Sequence, residues 1–531
     1  MTLNLMTIGI VVLISVLLNK VSSKIGIPAL LAFIILGLVF GSEGIVKIHF
    51  DNYEFAAKIC SVALIFIMFY GGFGTNWSEA KEVAVQAILL STLGVLLTAF
   101  LTGLFTYYVL DFSFMESMLT GAVISSTDAA SVFSILRSKK LNLKDKTASM
   151  LEVESGSNDP TAYMMTVIIL SLMAGNKDTN IVYMIFSQIV YALISGYIIS
   201  KIAIIFLKKF KFETSGFDAV FVIAVVLLSY AIPEAVGGNG YLSAYLVGIT
   251  LGNQKFKNKI ELVHFFNGVT GFMQVLIFFL LGLLAMPSKL PEVAPQAILI
   301  IIFLTLVARP ITVFLILMKF KSSLGQKLLV SWAGLRGAAS IVFAIMATVS
   351  PVYMGNDIFH IVFFLVLISI LVQGSLIPVF AKKLNMIDHS ENVMKTFTDY
   401  QEEEHVGFIQ LNIDKNHPWY KEMIMDINLP PGILIVSVVR NKRPIAPNGH
   451  TVIEDGDILI LSALAVSSDI ITELTELKAN NKQIGKKIYE LDFDTGKLVI
   501  LIKRNNEIII PDGNTVIEKD DQLVINNTMP K

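Results

Sequence analysis

Three acids and an asparagine lie inside an apolar stretch that is long enough to cross a bilayer. Residues 147–162 read TASMLEVESGSNDPTA and continue into MMTVIILSLMAG. The acids are Glu152, Glu154 and Asp159, and Asn158 directly precedes the last of them. A charge at the bilayer centre costs about 2.5–3.5 kcal/mol on insertion scales, and such acids commonly serve proton or ion pathways. This segment therefore predicts a site that handles ions.

The spacing within this segment places its polar side chains on two neighbouring faces of one helix. Ser155 and Asp159 are four residues apart, and so are Glu154 and Asn158. Pro160 follows Asp159 and has no backbone N–H, so it frees a carbonyl about one turn earlier. The pattern predicts a locally weakened helix at the acidic cluster.

Two other apolar segments carry polar clusters near their centres. VISSTDAASV contains Thr127 and Asp128, and SWAGLRGAAS contains Arg336. Counted from the basic ends of their segments at 1.5 Å per residue, these residues and Asp159 lie roughly 14–20 Å deep. A common depth predicts one shared site. The weak helix formers SSTD and GLRG predict two discontinuous helices that cross at the midplane around it.

The composition is that of a membrane protein. Of 531 residues, 54% are hydrophobic and 16% are charged, and the mean hydropathy is +0.69. The net charge of −1 gives no reason to expect a nucleic-acid partner. A single cysteine, Cys60, excludes an intrachain disulfide framework.

Apolar segments recur from the N-terminus to about residue 382, and we predict about thirteen transmembrane helices. They are residues 5–21, 26–41, 55–73, 83–110, 116–137, 147–174, 181–207, 217–232, 239–252, 265–286, 295–318, 327–349 and 359–381. The fifth and twelfth segments, which carry SSTD and GLRG, are seven apart and so run in opposite directions. The predicted fold class is thus an all-α membrane domain with inverted repeats, followed by a small α+β tail. The first segment has no basic flank or cleavage site, so it is interpreted as a helix and not as a signal peptide.

Basic residues indicate the orientation, because cytoplasmic loops are enriched in lysine and arginine. Alternate connections carry Lys20 and Lys24, Lys81, Arg137 to Lys146, Lys208 to Lys211, Lys255 to Lys259, Lys319 to Lys327, and Lys382 with Lys383. The intervening connections hold few basic residues. This alternation predicts an external N-terminus and a cytoplasmic tail, in a membrane domain of residues 1–385.

The tail contains a duplication. After a linker at 386–405, we predict two modules, at 406–468 and 474–531. In the 28-residue alignment that starts at Leu434 and Leu498, twelve positions are identical. Each copy is predicted to form a hairpin, a Pro-Asn/Asp-Gly turn and a closing strand.

Each copy resembles the TrkA-C module of potassium-conductance regulators. Its pattern is met by Pro447, Gly449, Ile453, Gly456, Asp457, Leu459 and Ile460. The second copy has Asp520 where the pattern has glycine. The resemblance implies a small-ligand sensor, with a nucleotide or cyclic dinucleotide as a possible ligand. A cytoplasmic assembly domain without a ligand is the alternative.

SSTDAASVFSILR, ESGSNDPTA and SWAGLRGA together resemble the NhaP-like monovalent cation:proton antiporters, in the potassium/proton antiporter or cell-volume-regulation branch. The resemblance implies that Asp159 binds proton and cation alternately. It also implies neighbouring ligands Thr127, Asp128 and Ser155 beside Asn158, and a structural ion pair of Glu154 with Arg336. Ala129 and the sequence GLRGAAS depart from the commoner family pattern, but neither change involves a proposed ligand.

The resulting expectation is a homodimeric secondary antiporter of the cytoplasmic membrane that exchanges K⁺, in preference to Na⁺, for H⁺. Asn158 cannot take up a proton at ordinary pH, so exchange is expected to be electroneutral. A potassium channel is the main alternative, but no TVGYG-like filter is present. A membrane-anchored sensor would not need thirteen spans. No enzyme motif, cofactor or resident metal site is predicted.

The roles of two charged residues, Arg309 and Glu152, each have two interpretations. Arg309, beside Pro310, either stabilises the core or extends its side chain toward the cytoplasm. Glu152 either takes part in the ion site or only lines the cytoplasmic entrance, since it lies nearer Lys146.

Overall fold

Helices form the first of two units, residues 1–402, and β-strands form the second, residues 403–531. The computed structural model describes residues 2–25, 29–138, 141–175, 180–210, 216–254, 256, 258–352, 354–388, 406–415, 417–430, 433–440, 443–445, 447–464, 474–480, 483–491, 497–504, 507–509, 511 and 513–527. Most of the predicted linker, from residue 389 to 405, lies outside the described residues.

The helices of the first unit follow the predicted apolar segments. In chain order they are α1 (Thr2–Ile25), α2 (Ala29–Phe40), α3 (Tyr53–Gly74), α4 (Trp77–Ala80), α5 (Ala84–Leu89), α6 (Val95–Leu110), α7 (Phe114–Val123), α8 (Ala129–Ser138), α9 (Thr147–Met173), α10 (Ile181–Lys209), α11 (Phe217–Ala235), α12 (Gly240–Gly252), α13 (Lys259–Leu284), α14 (Leu290–Phe303), α15 (Arg309–Leu317), α16 (Leu324–Trp332), α17 (Ala338–Val349), α18 (Ile358–Ile368) and α19 (Ser375–Lys383). Single π-helical turns join α5 to α6, α14 to α15 and α18 to α19, at Leu90–Gly94, Leu304–Ala308 and Ser369–Gly374.

Among the residues that the structure describes, seven helical stretches are long and apolar enough to cross a membrane. They are Tyr53–Gly74, Ala84–Leu110, Ile181–Lys209, Phe217–Ala235, Glu261–Leu284, Pro287–Leu317 and Ile358–Lys383. Each of the thirteen predicted segments coincides with a helix or with two consecutive helices. The predicted class, a helical membrane domain with a small β-containing tail, is confirmed, whereas the count of thirteen crossings stays a prediction.

The two predicted discontinuous helices are present. The first is broken between Val123 and Ala129, where α7 gives way to α8, and the second between Trp332 and Ala338, where α16 gives way to α17. Gly337 is required at the second break, because a Cβ there would lie 2.2 Å from the Asp128 Oδ2 atom. The polar and glycine-rich sequences at the two breaks therefore replace helical turns with non-helical backbone.

Close backbone contacts hold α12 against α3. A Cβ on Gly248 would lie 2.1 Å from the Phe69 carbonyl oxygen, and one on Gly72 would lie 2.3 Å from the Tyr245 carbonyl oxygen. Only glycine permits this approach, which is typical of helix packing in membranes. It fixes the position of α12 on α3, and Tyr245 of α12 in turn contacts Gly156 of α9, the helix that carries the acidic cluster.

The tail contains two sheets of the same topology. Their strands are β1 (Val406–Asn412), β2 (Leu434–Arg440), β3 (Arg443–Ile445) and β4 (Ile458–Leu464), then β5 (Leu474–Lys478), β6 (Lys497–Arg504), β7 (Glu507–Ile509) and β8 (Gln522–Asn527). The strand orders are β1-β4-β2-β3 and β5-β8-β6-β7, with all pairs antiparallel. Within the described residues, the helical part of each module is a single 3-10 turn, at Ile424–Asp426 and at Ile488–Glu490. The hairpin predicted for each copy is formed by β2 with β3 and by β6 with β7.

The duplicated modules also repeat their polar contacts. Arg440 donates two hydrogen bonds of 2.8 Å to Asp457, and Arg504 donates two of 2.8 Å to Asp521. The bond from Arg504 holds the pKa of the Asp521 carboxyl below its usual value. The glycine-to-aspartate departure lies at a left-handed position, because φ is +80° at Gly456 and +73° at Asp520. Aspartate tolerates this conformation better than most residues, so the turn is kept.

Candidate ion-binding site

The site forms where the two broken helices touch. The backbone N–H of Asp128, in the first break, donates to the Leu335 carbonyl in the second at 2.8 Å. The hydroxyls of Ser126 and Ser340 lie 3.2 Å apart across the same crossing. Main-chain groups that a continuous helix would satisfy internally are thus satisfied by the partner helix.

Arg336 stabilises the first break with its guanidinium. It is 1% exposed, and its Nη1 donates to the carbonyls of Ser125 at 3.2 Å and Ser126 at 2.6 Å. The backbone N–H of Arg336 donates to the hydroxyl of Ser369 at 3.1 Å, and Ser369 begins a π-helical turn. The positive charge therefore offsets the carbonyls that unwinding leaves without helical partners.

The buried ion pair joins Glu154 of α9 to Arg309 at the start of α15. The exposed fractions of the two residues are 0% and 2%. The predicted pairing of Glu154 with Arg336 is therefore wrong. Arg336 donates to carbonyls of the unwound segment, which leaves Arg309 as the ion-pair partner of Glu154. Of the two interpretations of Arg309, stabilisation of the core is confirmed.

Three of the residues predicted to form the site contact one another. The Ser155 hydroxyl donates to the Thr127 carbonyl at 2.8 Å, and the Asn158 amide donates to the Thr127 hydroxyl. The contacts connect α9 to the unwound segment before α8. The carbonyl and hydroxyl oxygens of Thr127 are thereby held against the acidic face of α9.

Asp159 lies in the same region and is only 6% exposed. Its carboxylate has Ser126, Asp128 and Arg336 as electrostatic neighbours. Within the described residues, its Oδ1 atom and the Oδ1 atom of Asn158 are buried without a hydrogen-bond partner. Buried acceptor oxygens without donors, on two consecutive residues, suit a proton or a bare monovalent cation, since either supplies the missing positive partner.

Asp128 has a second role that the sequence reasoning missed. Its carboxylate accepts a hydrogen bond from the Ser131 N–H at 3.2 Å and another from the Ser131 hydroxyl. Asp128 is thus positioned as the N-cap of α8, where aspartate satisfies free N–H groups. The three-residue spacing from Asp128 to Ser131 was the available signal for this role.

A cavity approaches the site on one side. Its volume is about 320 Å³, and its lining includes Ser15, Asn19, Ser131 and Gln274. Asn19 lies near the basic end of α1, and Ser131 bonds directly to Asp128. Most of its other lining residues are apolar and belong to α1, α2 and α13, so the cavity lies between these helices and meets the site at Ser131.

Comparisons with known proteins agree with this architecture. Residues 9–383 match the family model described as sodium/hydrogen exchanger, transmembrane, and residues 408–469 and 472–525 each match the TrkA-C domain. The K(+)/H(+) antiporter NhaP2 of Shewanella sp. (strain ANA-3) is 31% identical over 494 residues, which is 91% of this chain and 85% of that protein. The K(+)/H(+) antiporter NhaP of Alkalimonas amylolytica is 30% identical over 89% of this chain and 83% of its own length. The solved structure of the sodium proton antiporter MjNhaP1 from Methanocaldococcus jannaschii at pH 8 has a TM-score of 0.63 and 24% identity, covering 72% of this chain and 99% of that one.

Proposed function

Because the chain belongs to the sodium/hydrogen exchanger family, we propose that it is a cation:proton antiporter in which one carboxylate, Asp159, binds H⁺ and a monovalent cation alternately. The observation that carries this proposal is the buried Asp159 oxygen without a donor, beside two crossing helix breaks. A carboxylate that binds only one of two cations at a time makes their exchange obligatory. No finding supports the channel alternative.

The neighbouring residues have separate roles in this proposal. Ser155 and Asn158 fix Thr127, so that oxygens of the first break face α9. The free Asn158 oxygen and the Thr127 oxygens complete the coordination of a dehydrated cation. Asp128 contributes negative charge while it caps α8, and Arg336 and the Glu154–Arg309 pair hold the breaks and α9 in place.

We assign K⁺ as the preferred cation and Na⁺ as the alternative. Two relatives similar along most of the chain are named K(+)/H(+) antiporters. The test is proteoliposome exchange with an internal pH-sensitive dye, comparing K⁺, Na⁺, Rb⁺ and Li⁺ at equal concentrations. K⁺ and Rb⁺ are expected to drive the larger proton flux. A response to Na⁺ and Li⁺ alone would overturn the assignment of K⁺.

Exchange by the wild-type protein is predicted to be electroneutral. Asp159 carries one charge, and Asn158 cannot titrate at ordinary pH, so one cation replaces one proton. A voltage-sensitive dye should therefore show no potential during cation-driven proton flux. The matched variant Asn158→Asp, which adds a second titratable group, is expected to generate a potential. A wild-type potential that reverses with the cation gradient would contradict one-for-one exchange.

The tail is proposed to regulate transport. We place the membrane domain at residues 1–385, the linker at 386–405 and the two modules at 406–468 and 474–531. The ligand class that suits such modules is a nucleotide or cyclic dinucleotide, which would shift the population between active and inhibited states. Assembly of the protein without a ligand is the competing function.

Truncation at Asp388 is predicted to leave an active antiporter whose exchange rate no longer responds to cytoplasmic ligand or pH. The residues of the candidate site all precede this point, and the two units are separate clusters of contacts. The full-length and truncated proteins should show similar maximal exchange, but only the former should respond to cytoplasmic ligand or pH. Dissociation of a dimer or misfolding on truncation would favour the assembly role. An unchanged pH profile and ligand response in a well-assembled truncated protein would exclude regulation by the tail.

The protein is a multi-pass membrane protein. We propose a homodimer in the cytoplasmic membrane, in contact with lipid, with the N-terminus outside and the tail inside. The basic connections between helices support this orientation.

A further inference from the structure

A hydrogen-bonded carboxylate lies beyond Asp159, on the side remote from Lys146 at the start of α9. Tyr163 follows Asp159 by one helical turn, and its hydroxyl donates to Oε1 of Glu234 at 2.7 Å. The other oxygen, Oε2, accepts the Gly240 N–H at 3.1 Å, at the start of α12. Both oxygens of this carboxylate are thus satisfied, one of them by a residue of the helix that carries the site.

Four aromatic rings, here termed the aromatic block, pack together at this point: Tyr163, Tyr230, Tyr241 and Phe343. Centroid distances are 4.9 Å from Tyr163 to Tyr241, 5.9 Å from Tyr163 to Phe343, and 5.0 Å from Tyr230 to Tyr241. Tyr163, Tyr241 and Phe343 are all buried. Since the block joins α9, α11, α12 and α17, it excludes water on this side of Asp159.

A second contact ties the turn between α11 and α12 to the site. The Asn239 amide donates to the Pro160 carbonyl at 2.8 Å, and its oxygen caps α12 by accepting the Leu242 N–H at 3.0 Å. Pro160 is the residue directly after Asp159. Glu234, six residues before Gly240, is half-buried, so its carboxylate is the charged group of the cluster with access beyond the block.

The two sides of the site therefore differ. The cavity of about 320 Å³ includes Ser131, which bonds to Asp128, whereas the aromatic block and the Tyr163–Glu234 bond cover Asp159 on the side remote from Lys146. We propose that the Tyr163–Glu234 hydrogen bond is the latch of the outer gate, and that Glu234 is the first carboxylate met by an ion arriving from outside. This inference rests on the proposed antiport at Asp159. Opening the gate would separate the two side chains and free a Glu234 oxygen for the arriving cation.

The test compares apparent KM for K⁺ from each side, in right-side-out and inside-out membrane vesicles. Glu234→Gln keeps an acceptor for Tyr163 but removes the charge. It should raise the external apparent KM about tenfold, the effect of a lost charge-assisted interaction, and leave the internal value unchanged. Tyr163→Phe keeps the ring but removes the latch. It should populate the outward-open state, lowering the external and raising the internal apparent KM.

Glu116→Gln is the matched control. Glu116 is also a buried glutamate that accepts bonds from another loop, at Gly355 and Asn356, and lies outside the latch. It should produce no sided change in apparent KM. Equal changes on both sides in Glu234→Gln and Tyr163→Phe would assign the pair a structural role and overturn the latch. If Glu234→Gln fails to assemble, the same comparison of external and internal apparent KM is made with Glu234→Asp and Tyr163→Phe, and equal changes on both sides again overturn the latch. Absence of exchange in the wild type would instead refute the proposed antiport.

Discussion

Replacing Asp159 by asparagine is expected to reduce cation-driven proton flux to the rate of protein-free liposomes. A side-chain amide does not titrate at ordinary pH, so the variant has no group for which H⁺ and cation compete. Folding should be retained, because the change removes a buried charge and preserves the shape of the side chain. The measurement is dye-monitored exchange in proteoliposomes, with elution from a sizing column as the check on assembly.

Asp218→Asn is the control for this loss. Asp218 is likewise a buried aspartate, 7% exposed, but it lies in the first turn of α11 and its Oδ1 accepts the adjacent Ala219 N–H. This variant should exchange at close to the wild-type rate. Near-normal flux in Asp159→Asn, with the protein correctly assembled, would end the mechanism proposed here.

The second large effect concerns stability. Removing either partner of the Glu154–Arg309 pair, by Glu154→Gln or Arg309→Met, should cost about 3–5 kcal/mol of unfolding free energy. Each single change leaves an uncompensated charge in an environment where both side chains are buried. The double variant should be more stable than the sum of the two losses predicts. Denaturant titration of the four purified proteins in detergent measures their unfolding free energies. The expected coupling energy between Glu154 and Arg309 is about 2 kcal/mol.

A second double-mutant cycle, on Glu154 and Arg336, supplies the control, because the family resemblance implied that Arg336 is the ion-pair partner of Glu154. Arg336→Met should also destabilise the protein, since the Ser125 and Ser126 carbonyls lose their donor. Its coupling with Glu154→Gln should be the smaller of the two. Stronger coupling of Glu154 to Arg336 than to Arg309 would contradict the contacts described here.

Most of the fold was predictable, because the deciding signals are local. Apolar length located the helices, and the runs SSTD and GLRG located the two breaks, since serine, threonine and glycine do not hold a helix together in mid-span. The duplicated tail was found from its own repetition. The three π-helical turns were not predicted, because no residue type specifies them in isolation.

The site was predictable in depth but not in pairing. Thr127 and Asp159 could be grouped by depth, Ser155 and Asp159 lie on one face of α9, and Asn158 lies on the neighbouring face. The choice between Arg309 and Arg336 required knowing which arginine faces the carbonyls of the first break. That depends on how α15 and the second break pack around α9, which a single sequence does not encode locally. The Tyr163–Glu234 contact joins residues 71 positions apart. It too depends on how separate helices pack, so it could not be predicted from the sequence.

The most direct test of the account is a simultaneous record of ⁸⁶Rb⁺ and proton movement in proteoliposomes that contain the wild-type protein. If Asp159 binds either ion but not both, Rb⁺ efflux must be matched by proton uptake or by exchange with external cation. With a cation that is not transported outside and an external pH high enough to make protons scarce, efflux should fall toward the rate of protein-free liposomes, and no membrane potential should develop. Sustained Rb⁺ efflux that builds a diffusion potential, with no proton counterflow, would identify a conducting pore and contradict exchange at a single carboxylate.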